Sequence, residues 1–356
     1  MSDYTTQARW SKEKANAWYA AQPWLVGCNF IPSTAINQLE MWQIDTFDAA
    51  TIDRELGWAA AMGMNTMRVF LHDLAWQQDK DGFKNRIDQY LSIAFKHGIR
   101  TMFVFFDDCW FPNAKPGKQP EPVPGIHNSG WLQSPGVTVA QDPTQEARLK
   151  AYVQDIVGTF AQDERVLIWD LYNELGNTFL TVMTLPWYQK YPKMLFRGFK
   201  HLFLPLPTLP LLIKTEAWIR EMQPSQPLTA GVWFGNAKLN STLIELSDIV
   251  SFHNYFKADS LENQLKALQK FDRPILCTEY MSRTSGSLFE THLPVMKKYK
   301  VGAYNWGLVS GKTQTIFTWE GKIGDTEPKV WFHDILRKDG LPFSEKEVKF
   351  IKEITK

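Results

Sequence analysis

Eight short β-rich runs recur along the chain, and amphipathic segments separate them. The runs are 24–31, 66–73, 100–108, 166–174, 228–235, 249–256, 274–280 and 302–309. Most are nearly continuous apolar sequences that end in polar residues, which is typical of parallel strands covered on both faces. Because strands alternate with helical segments, the pattern predicts an α/β fold, a single (β/α)8 TIM barrel.

The length of the chain exceeds what such a barrel needs. A barrel of this kind typically takes about 250 residues, whereas the chain has 356. We expect the barrel core over about 24–338, an N-terminal extension over 1–23 and a C-terminal helix within 339–356, with the rest in long third and fourth βα loops. No linker rich in Gly and Ser or in Pro and Ser divides the chain, so we predict one catalytic domain over 1–356.

The overall charge and the cysteine count exclude several classes of protein. With 39 Lys and Arg against 38 Asp and Glu, the net charge is +1, which argues against a nucleic-acid partner. Three cysteines cannot form a disulfide framework. The N-terminus shows no apolar core of a signal peptide, so we expect a cytoplasmic protein as the sequence is written, or a periplasmic or secreted one if an export signal was trimmed.

The fourth βα loop has an uneven composition. Segment 175–215 contains no Asp or Glu but five Lys or Arg, together with several aromatic residues. Three interpretations stay open: a helical insert packed on the rim of the barrel, a lid or oligomer contact, and a membrane-surface contact through 180–213. The rest of the chain must then carry a net charge of −4.

Polar and aromatic residues follow the predicted strands, where the active sites of such barrels lie. The set at these positions is Asn29, Arg68, Asp107, Asn173, Glu174, Trp233, His253, Tyr255, Glu279 and Trp306. Glu174 and Glu279 end the fourth and seventh strands, which face each other across a barrel. Retaining glycoside hydrolysis needs two carboxyl groups about 5–5.5 Å apart, so the pair suggests this chemistry. The alternative is that each Glu is solvated at the edge of a loop.

The ordered set Arg, Asn-Glu, His-x-Tyr, Glu, Trp resembles the clan A retaining glycoside hydrolases. These include family 5 cellulases and mannanases and the catalytic barrel of family 2 β-galactosidases. The motifs are NTMRVF, WDLYNE, FHNYF, CTEY and YNW, and together they span roughly residues 24–310. The resemblance implies that Glu174 is the general acid/base, Glu279 is the nucleophile and Asn173 binds the sugar 2-hydroxyl.

The same resemblance implies supporting roles around the nucleophile. Arg68 would hydrogen-bond Glu279, the pair His253 and Tyr255 would lie nearby, and Trp306 would form a platform under the sugar. Arg68 favours the charged form of Glu279, while a paired negative charge would raise the pKa of Glu174.

The other candidate residues are aromatic side chains of the loops. We expect Trp110 and Trp233 to contact substrate, and the tryptophans of the loops to form a sugar-binding rim; the latter are Trp76, Trp110, Trp131, Trp233, Trp306 and Trp319. The long third and fourth βα loops suggest a pocket closed at one end, which favours exo action or short oligosaccharides. The sequence does not separate sugar configurations.

The sequence argues against a metal- or cofactor-dependent barrel enzyme, and a non-catalytic barrel is the alternative function. A metal-dependent barrel hydrolase usually needs a His-x-His pair, and no two histidines here lie two positions apart. No phosphate-binding loop or dinucleotide motif is present, so we predict neither metal nor cofactor. A non-catalytic carbohydrate-binding TIM barrel remains the alternative, and hydrolysis of aryl β-glycosides distinguishes the two.

Overall fold

The computed structural model of the chain describes residues 7–177, 206–233 and 235–356. Its sheet contains eight parallel strands: β1 (Val26–Asn29), β2 (Thr66–Phe70), β3 (Arg100–Asp107), β4 (Val166–Asn173), β5 (Leu228–Thr229), β6 (Val250–His253), β7 (Ile275–Tyr280) and β8 (Gly302–Trp306). Neighbours pair in the order β5-β4-β3-β2-β1-β8-β7-β6. A parallel bridge between Val232 and Phe252 links the two ends of this order. The predicted (β/α)8 barrel is therefore confirmed.

Helices follow the strands, as the alternating pattern predicts. They are α1 (Lys12–Ala20), α2 (Gln38–Trp42), α3 (Ala49–Ala61), α4 (Asp73–Gln78), α5 (Lys80–Lys96), α6 (Val137–Gln141), α7 (Glu146–Phe160), α8 (Leu209–Glu221), α9 (Ala237–Leu246), α10 (Ala258–Gln269), α11 (Phe289–Lys298) and α12 (Glu345–Ile354). Two short 3-10 helices cover Pro143–Gln145 and Arg283–Ser285. Within the described ranges, none of these helices combines the length and apolarity needed to cross a bilayer.

Helix α5 shows how the apolar periodicity fixes one helix on the barrel. Its buried face carries Phe83, Ile87, Tyr90, Leu91 and Ala94, which recur at the three- and four-residue spacing of one helix face. Burial of each large apolar side chain contributes roughly 1.5–3 kcal/mol. The helix starts after Asp79, whose carboxylate accepts the backbone N–H of Gly82 at 3.0 Å.

The N-terminal segment closes the end of the barrel at which the strands begin. Trp10 and Ala15 pack with apolar side chains at the starts of the strands, namely Leu25, Met102, Ile168, Ile249, Leu276 and Tyr304. The backbone N–H of Trp10 donates to Asp248 Oδ1 at 2.7 Å. With this end sealed, the opposite end, at which the strands finish, is the one that the βα loops shape.

The third βα loop is long, as predicted, and folds back on the strand that precedes it. Bridges join Asp107 to Ser134 and Phe111 to Leu132. The predicted insert 175–215, with its proposed contact surface 180–213, lies mostly outside the described residues. At the C-terminus, helix α12 falls within the predicted range 339–356. All three cysteines are buried and unpaired.

Candidate active site

The carboxylate of Glu279 accepts hydrogen bonds from two side chains, one on β2 and one in the segment that follows β6. Glu279 is the fifth residue of β7 and is 4% exposed. Arg68 Nη1 donates to its Oε1 at 2.9 Å, and the Tyr255 hydroxyl donates to its Oε2 at 2.9 Å. Arg68 is a cation on strand β2, and its positive charge favours the ionised form of the Glu279 carboxylate.

Glu174 follows β4 directly and has a different set of partners. Its φ of +43° places it in the left-handed region, which costs a non-glycine residue about 1–3 kcal/mol and is found mainly at functional sites. Its Oε2 accepts from the Cys109 thiol at 3.2 Å and from the Asn177 side-chain amide. Its Oε1 lies 2.9 Å from Nδ1 of His253.

The two glutamates face each other in one cavity of about 240 Å³. One carboxylate oxygen of each, together with a ring nitrogen of His253, lie within 4.8 Å of one another. His253 Nδ1 is also 3.5 Å from Glu279 Oε2, so the imidazole bridges the pair. This separation matches the short spacing of retaining glycosidases and leaves less room than inverting enzymes need for a water molecule.

Arg68 organises the floor of the site. It is fully buried on β2 and forms an ion pair with Asp170 on β4, with Nη2 2.8 Å from Asp170 Oδ2. Its remaining N–H groups reach Asn29 Oδ1 and Asn173 Oδ1, each at 2.9 Å. A buried charge needs such compensation, so the position of Glu279 depends on several strands at once.

Burial raises the pKa of both carboxyl groups, Glu174 and Glu279. Burial raises the pKa of Glu279, which the charge of Glu174 reinforces and which His253, Arg68 and Tyr255 oppose. Burial also raises the pKa of Glu174, against hydrogen bonds from Cys109 and Asn177. The rise expected at Glu174 is found, although burial rather than the paired charge is its main cause. Two enclosed carboxylates this close disfavour double ionisation.

The partners determine which of the two keeps the proton. Glu279 accepts a hydrogen bond from the cation Arg68, whereas Glu174 has only neutral donors because burial lowers the pKa of His253 to about 4. The direct hydrogen bond from Arg68 therefore favours the ionised form of Glu279 more than the ionised form of Glu174 is favoured by its neutral donors.

The predicted site residues occupy two layers. Those that line the cavity are Asn173, Glu174, Trp233, His253, Tyr255, Glu279 and Trp306. Arg68, Asn29 and Asp107 lie beneath them. Asn29 Nδ2 donates to the backbone carbonyl of Thr278 at 2.8 Å, and Asp107 Oδ1 accepts from Asn173 Nδ2 at 2.9 Å.

Burial raises the pKa of Asp107 to about 8, against donors from Asn173, Trp131 and Cys109. The geometry places Asn29 and Asp107 as supports of other side chains, while the sequence alone suggested contact with substrate.

The tryptophans of the loops divide between rim and interior. Trp233, Trp306 and Trp319 line the cavity. Trp110 packs edge-on to His127, with ring centroids 6.4 Å apart, and is not among the residues that line the cavity. The expectation for Trp76 was wrong: it is 2% exposed, and its indole N–H donates to Asp155 at 2.7 Å. Trp131 is likewise buried.

Several residues of the site escaped the sequence reasoning. Asp170 carried a signal, because Arg68 and Asp170 are charges inside otherwise apolar strand runs and therefore require each other. Cys109 and Asn177 carried no such signal, since loop geometry alone brings them to Glu174. His333 lines the cavity from the segment after β8, where no periodicity pointed to it.

The two glutamates and the histidine that bridges them also have the composition of a metal site. Glu174, His253 and Glu279 offer one donor atom each within 4.8 Å, which is a ligand set that a divalent cation accepts. Both oxygens of Glu279 already accept hydrogen bonds, one from the fixed positive charge of Arg68. A second cation beside this guanidinium is disfavoured by electrostatic repulsion.

Comparison with known proteins gives a fold relationship at low sequence identity. No protein-family model matches the chain, and no curated protein matches it in sequence. Among solved structures, it resembles an exo-β-1,4-mannosidase from Opitutaceae bacterium strain TAV5, with a TM-score of 0.59 and 16% identity over 93% of this chain. An endo-β-1,4-mannanase from Thermotoga petrophila gives 0.58 and 14% over 95% of this chain. The chain spans 59% and 77% of these two proteins.

A third similar structure is β-glucuronidase 2 of Bacteroides uniformis, covalently bound to cyclophellitol-6-carboxylate aziridine. It gives a TM-score of 0.52 and 12% identity, over 92% of this chain and 34% of that enzyme. Two of these three proteins are named for mannosides and the third for a glucuronide, so the similarity does not specify a substrate. The chain has the TIM-barrel fold of clan A glycoside hydrolases, the group that its strand-end motifs resemble.

Proposed function

We propose that the protein is a retaining glycosidase that cleaves β-linked glycosides by double displacement. The observation that carries the proposal is the pair Glu174 and Glu279, two carboxyl groups with oxygens within 4.8 Å of each other at the ends of facing strands. Their different partners supply one proton donor and one ionised nucleophile, the combination that retention of configuration requires.

The reaction follows from these two states. Glu279 attacks the anomeric carbon while Glu174 transfers its proton to the leaving oxygen, which forms a glycosyl ester at Glu279. Glu174, now ionised, removes a proton from water, and the water attacks the anomeric carbon and releases Glu279. The roles of Glu174 in the two steps are the reverse of each other.

The surrounding side chains support this sequence of steps. Tyr255 donates to the nucleophile, and departure of the sugar restores this hydrogen bond to a full carboxylate. Asn173 is fixed by Arg68 and Asp107. Its second amide hydrogen makes only a weak contact with Cys109 Sγ at 3.8 Å, which a sugar 2-hydroxyl would replace. His127 from the long third loop lines the cavity, and this wall favours exo action or short oligosaccharides.

A panel of nitrophenyl β-glycosides and oligosaccharides, with product analysis, tests the proposal. Glu279→Ala should abolish turnover, since no nucleophile remains. Glu174→Ala should retain activity on substrates with good leaving groups and recover further with azide, because azide replaces water without needing a general base. Full activity of Glu279→Gln would contradict the assignment. Sugar binding without release across the panel would favour a non-catalytic carbohydrate-binding barrel.

A further inference from the structure

Two histidines from different loops form one wall of the cavity beside the nucleophile. His127 belongs to the third βα loop and His333 to the segment after β8, and both line the cavity. Their ring centroids are 5.3 Å apart. The His333 ring also packs 5.5 Å from the ring of Tyr255, whose hydroxyl binds Glu279. The side chain of Tyr255 therefore lies between the histidine pair and the nucleophile.

Backbone carbonyls fix the tautomer of both rings. Nδ1 of His127 lies 2.9 Å from the carbonyl oxygen of Phe317, and Nδ1 of His333 lies 2.5 Å from that of Met281. A carbonyl only accepts hydrogen bonds, so each Nδ1 carries the hydrogen, and each Nε2 of a neutral ring is an acceptor. Among the described residues, neither Nε2 has a partner.

Both rings are held in the neutral form. Burial lowers the pKa of His127 to about 4. Burial also lowers the pKa of His333 well below its usual value, and the neighbouring His127 lowers it further. Two imidazolium ions 5.3 Å apart would repel each other in this enclosed setting. The neutral rings therefore present two acceptor nitrogens, which pair with O–H or N–H donors of a ligand.

The charge on the lining of the cavity is negative. Of the described residues that line it, Glu279 is the ionised one in the proposed reaction, Glu174 carries the proton, and none is Lys or Arg. Aromatic rings make up much of the remaining wall, including Trp319, which is 42% exposed. A ligand carboxylate would meet two acceptor nitrogens, to which it has no hydrogen to donate, and the carboxylate of Glu279.

We propose that His127 and His333 bind hydroxyl groups of a neutral pyranoside and that this wall excludes glycosiduronates. The inference rests on the proposed glycosidase function and specifies the substrate class of the same site. Hydroxyl groups of a sugar donate to each Nε2, whereas a uronate has an acceptor-only group in place of its 6-hydroxyl. Juxtaposed like charges cost several kcal/mol.

The first test compares kcat/KM of the wild type on nitrophenyl β-D-glucoside, β-D-mannoside, β-D-galactoside and β-D-glucuronide. We expect the best neutral substrate to exceed the glucuronide by at least about 100-fold. A glucuronide turned over as efficiently as any neutral glycoside would overturn the inference and leave the proposed function intact.

The second test assigns the effect to the histidine wall. His127→Phe keeps an aromatic ring but removes the acceptor, and should lower kcat/KM on the best neutral glycoside about tenfold. His127→Gln, whose amide oxygen is a replacement acceptor, should recover part of the loss. His97→Phe is the matched control, because His97 ends helix α5 at the opposite end of the barrel, and it should match the wild type.

Deoxy substrates identify the sugar hydroxyl that contacts His127. With the 3-, 4- and 6-deoxy forms of the best glycoside, one form should be equally efficient with the wild type and with His127→Phe, because the contact is already missing. Thermal unfolding of each variant establishes that it is folded. A folded His127→Phe variant with wild-type efficiency on every substrate would overturn the role of His127.

A binding measurement separates failure of the inference from failure of the proposed function. If no β-glycoside is hydrolysed, the proposed function fails, and tryptophan fluorescence is titrated with methyl β-D-glucoside, methyl β-D-mannoside and methyl β-D-glucuronide. Saturable quenching by a neutral methyl glycoside and not by the glucuronide would still support the neutral-sugar wall. Equal responses, or no response to any of them, would overturn it.

Discussion

Replacement of Arg68 by methionine is expected to uncouple the stability of the barrel from its activity. Arg68 is fully buried, and Asp170 Oδ2 accepts from its Nε at 2.9 Å and lies 2.8 Å from its Nη2. In Arg68→Met the Asp170 carboxylate stays enclosed without its cation. Breaking a buried ion pair in this way costs about 3–5 kcal/mol of unfolding free energy.

The expected shift in melting temperature follows from the length of the chain. At about 2.1 cal/mol/K per residue, the unfolding entropy of 356 residues is roughly 0.75 kcal/mol/K near 60 °C. The loss therefore lowers Tm by about 4–7 °C. In Arg68→Met/Asp170→Asn the unpaired charge is gone, so the double variant should be more stable than Arg68→Met alone.

The double variant should regain stability but not activity. Arg68 Nη1 is the cationic partner of Glu279, and a hydrogen bond to a charged group contributes about 1.5–3 kcal/mol. Both variants should lose about 10- to 150-fold in kcat on an aryl glycoside, because each 1.36 kcal/mol is a factor of ten.

Urea unfolding and steady-state kinetics on the same preparations test this reasoning. Arg220→Met is the matched control, since Arg220 forms a similarly buried ion pair with Asp248 away from the cavity. It should lose stability and, where folded, keep activity. An Arg68→Met protein within about 1 kcal/mol of the wild type, or a double variant with restored kcat, would refute the account.

Three further predictions concern the two glutamates. Cys109→Ala removes the thiol that donates to Glu174, so the pKa of Glu174 should rise and the alkaline limb of the kcat/KM profile should move to higher pH. Cys109→Ser keeps a donor and should stay closer to the wild type. An unchanged alkaline limb in Cys109→Ala would contradict the contact. Tyr255→Phe removes one donor from Glu279 and should lower kcat about 10- to 100-fold without loss of fold, which kinetics and circular dichroism check; a kcat within twofold of the wild type would contradict it. Dialysis against EDTA should leave kcat/KM unchanged, because the charge of Arg68 disfavours a cation between the glutamates; activity that falls and returns with added metal would reverse this prediction.

The fold was predictable because the strand signal lies in consecutive residues. Each predicted run contains an observed strand, and the polar residues that end the runs are the ones that meet at the rim. The fifth run was the least accurate. Only Leu228–Thr229 pair as a strand there, with a separate bridge at Val232. Ala230 and Gly231 lie between them, and a Cβ atom at Gly231 would come within 3.3 Å of His253 Nε2.

The site was predictable where a residue lies on a strand or directly after it. Glu174, Glu279, Arg68, His253 and Tyr255 come together because the strands that carry or precede them are parallel and finish at the same end of the barrel. Contacts made by loops were not predictable, since the loop path is set by tertiary contacts between residues distant in sequence.

The sequence both missed loop side chains that belong to the site and wrongly placed one at its rim. Cys109 reaches Glu174 and His333 reaches His127 without any local signal in the sequence. Trp76 was expected at the rim but lies on helix α4, where its indole N–H is paired with Asp155. The short segment after β2 gives too few residues for a helical period to be recognised.

Covalent trapping identifies the nucleophile. In a 2-deoxy-2-fluoro β-glycoside with an activated leaving group, the fluorine slows release of the sugar from the enzyme more than its transfer to the enzyme. We expect one added glycosyl group by intact-mass spectrometry, located at Glu279 by peptide mapping and missing in Glu279→Ala. An enzyme that hydrolyses the parent β-glycoside but is labelled at another residue would contradict it.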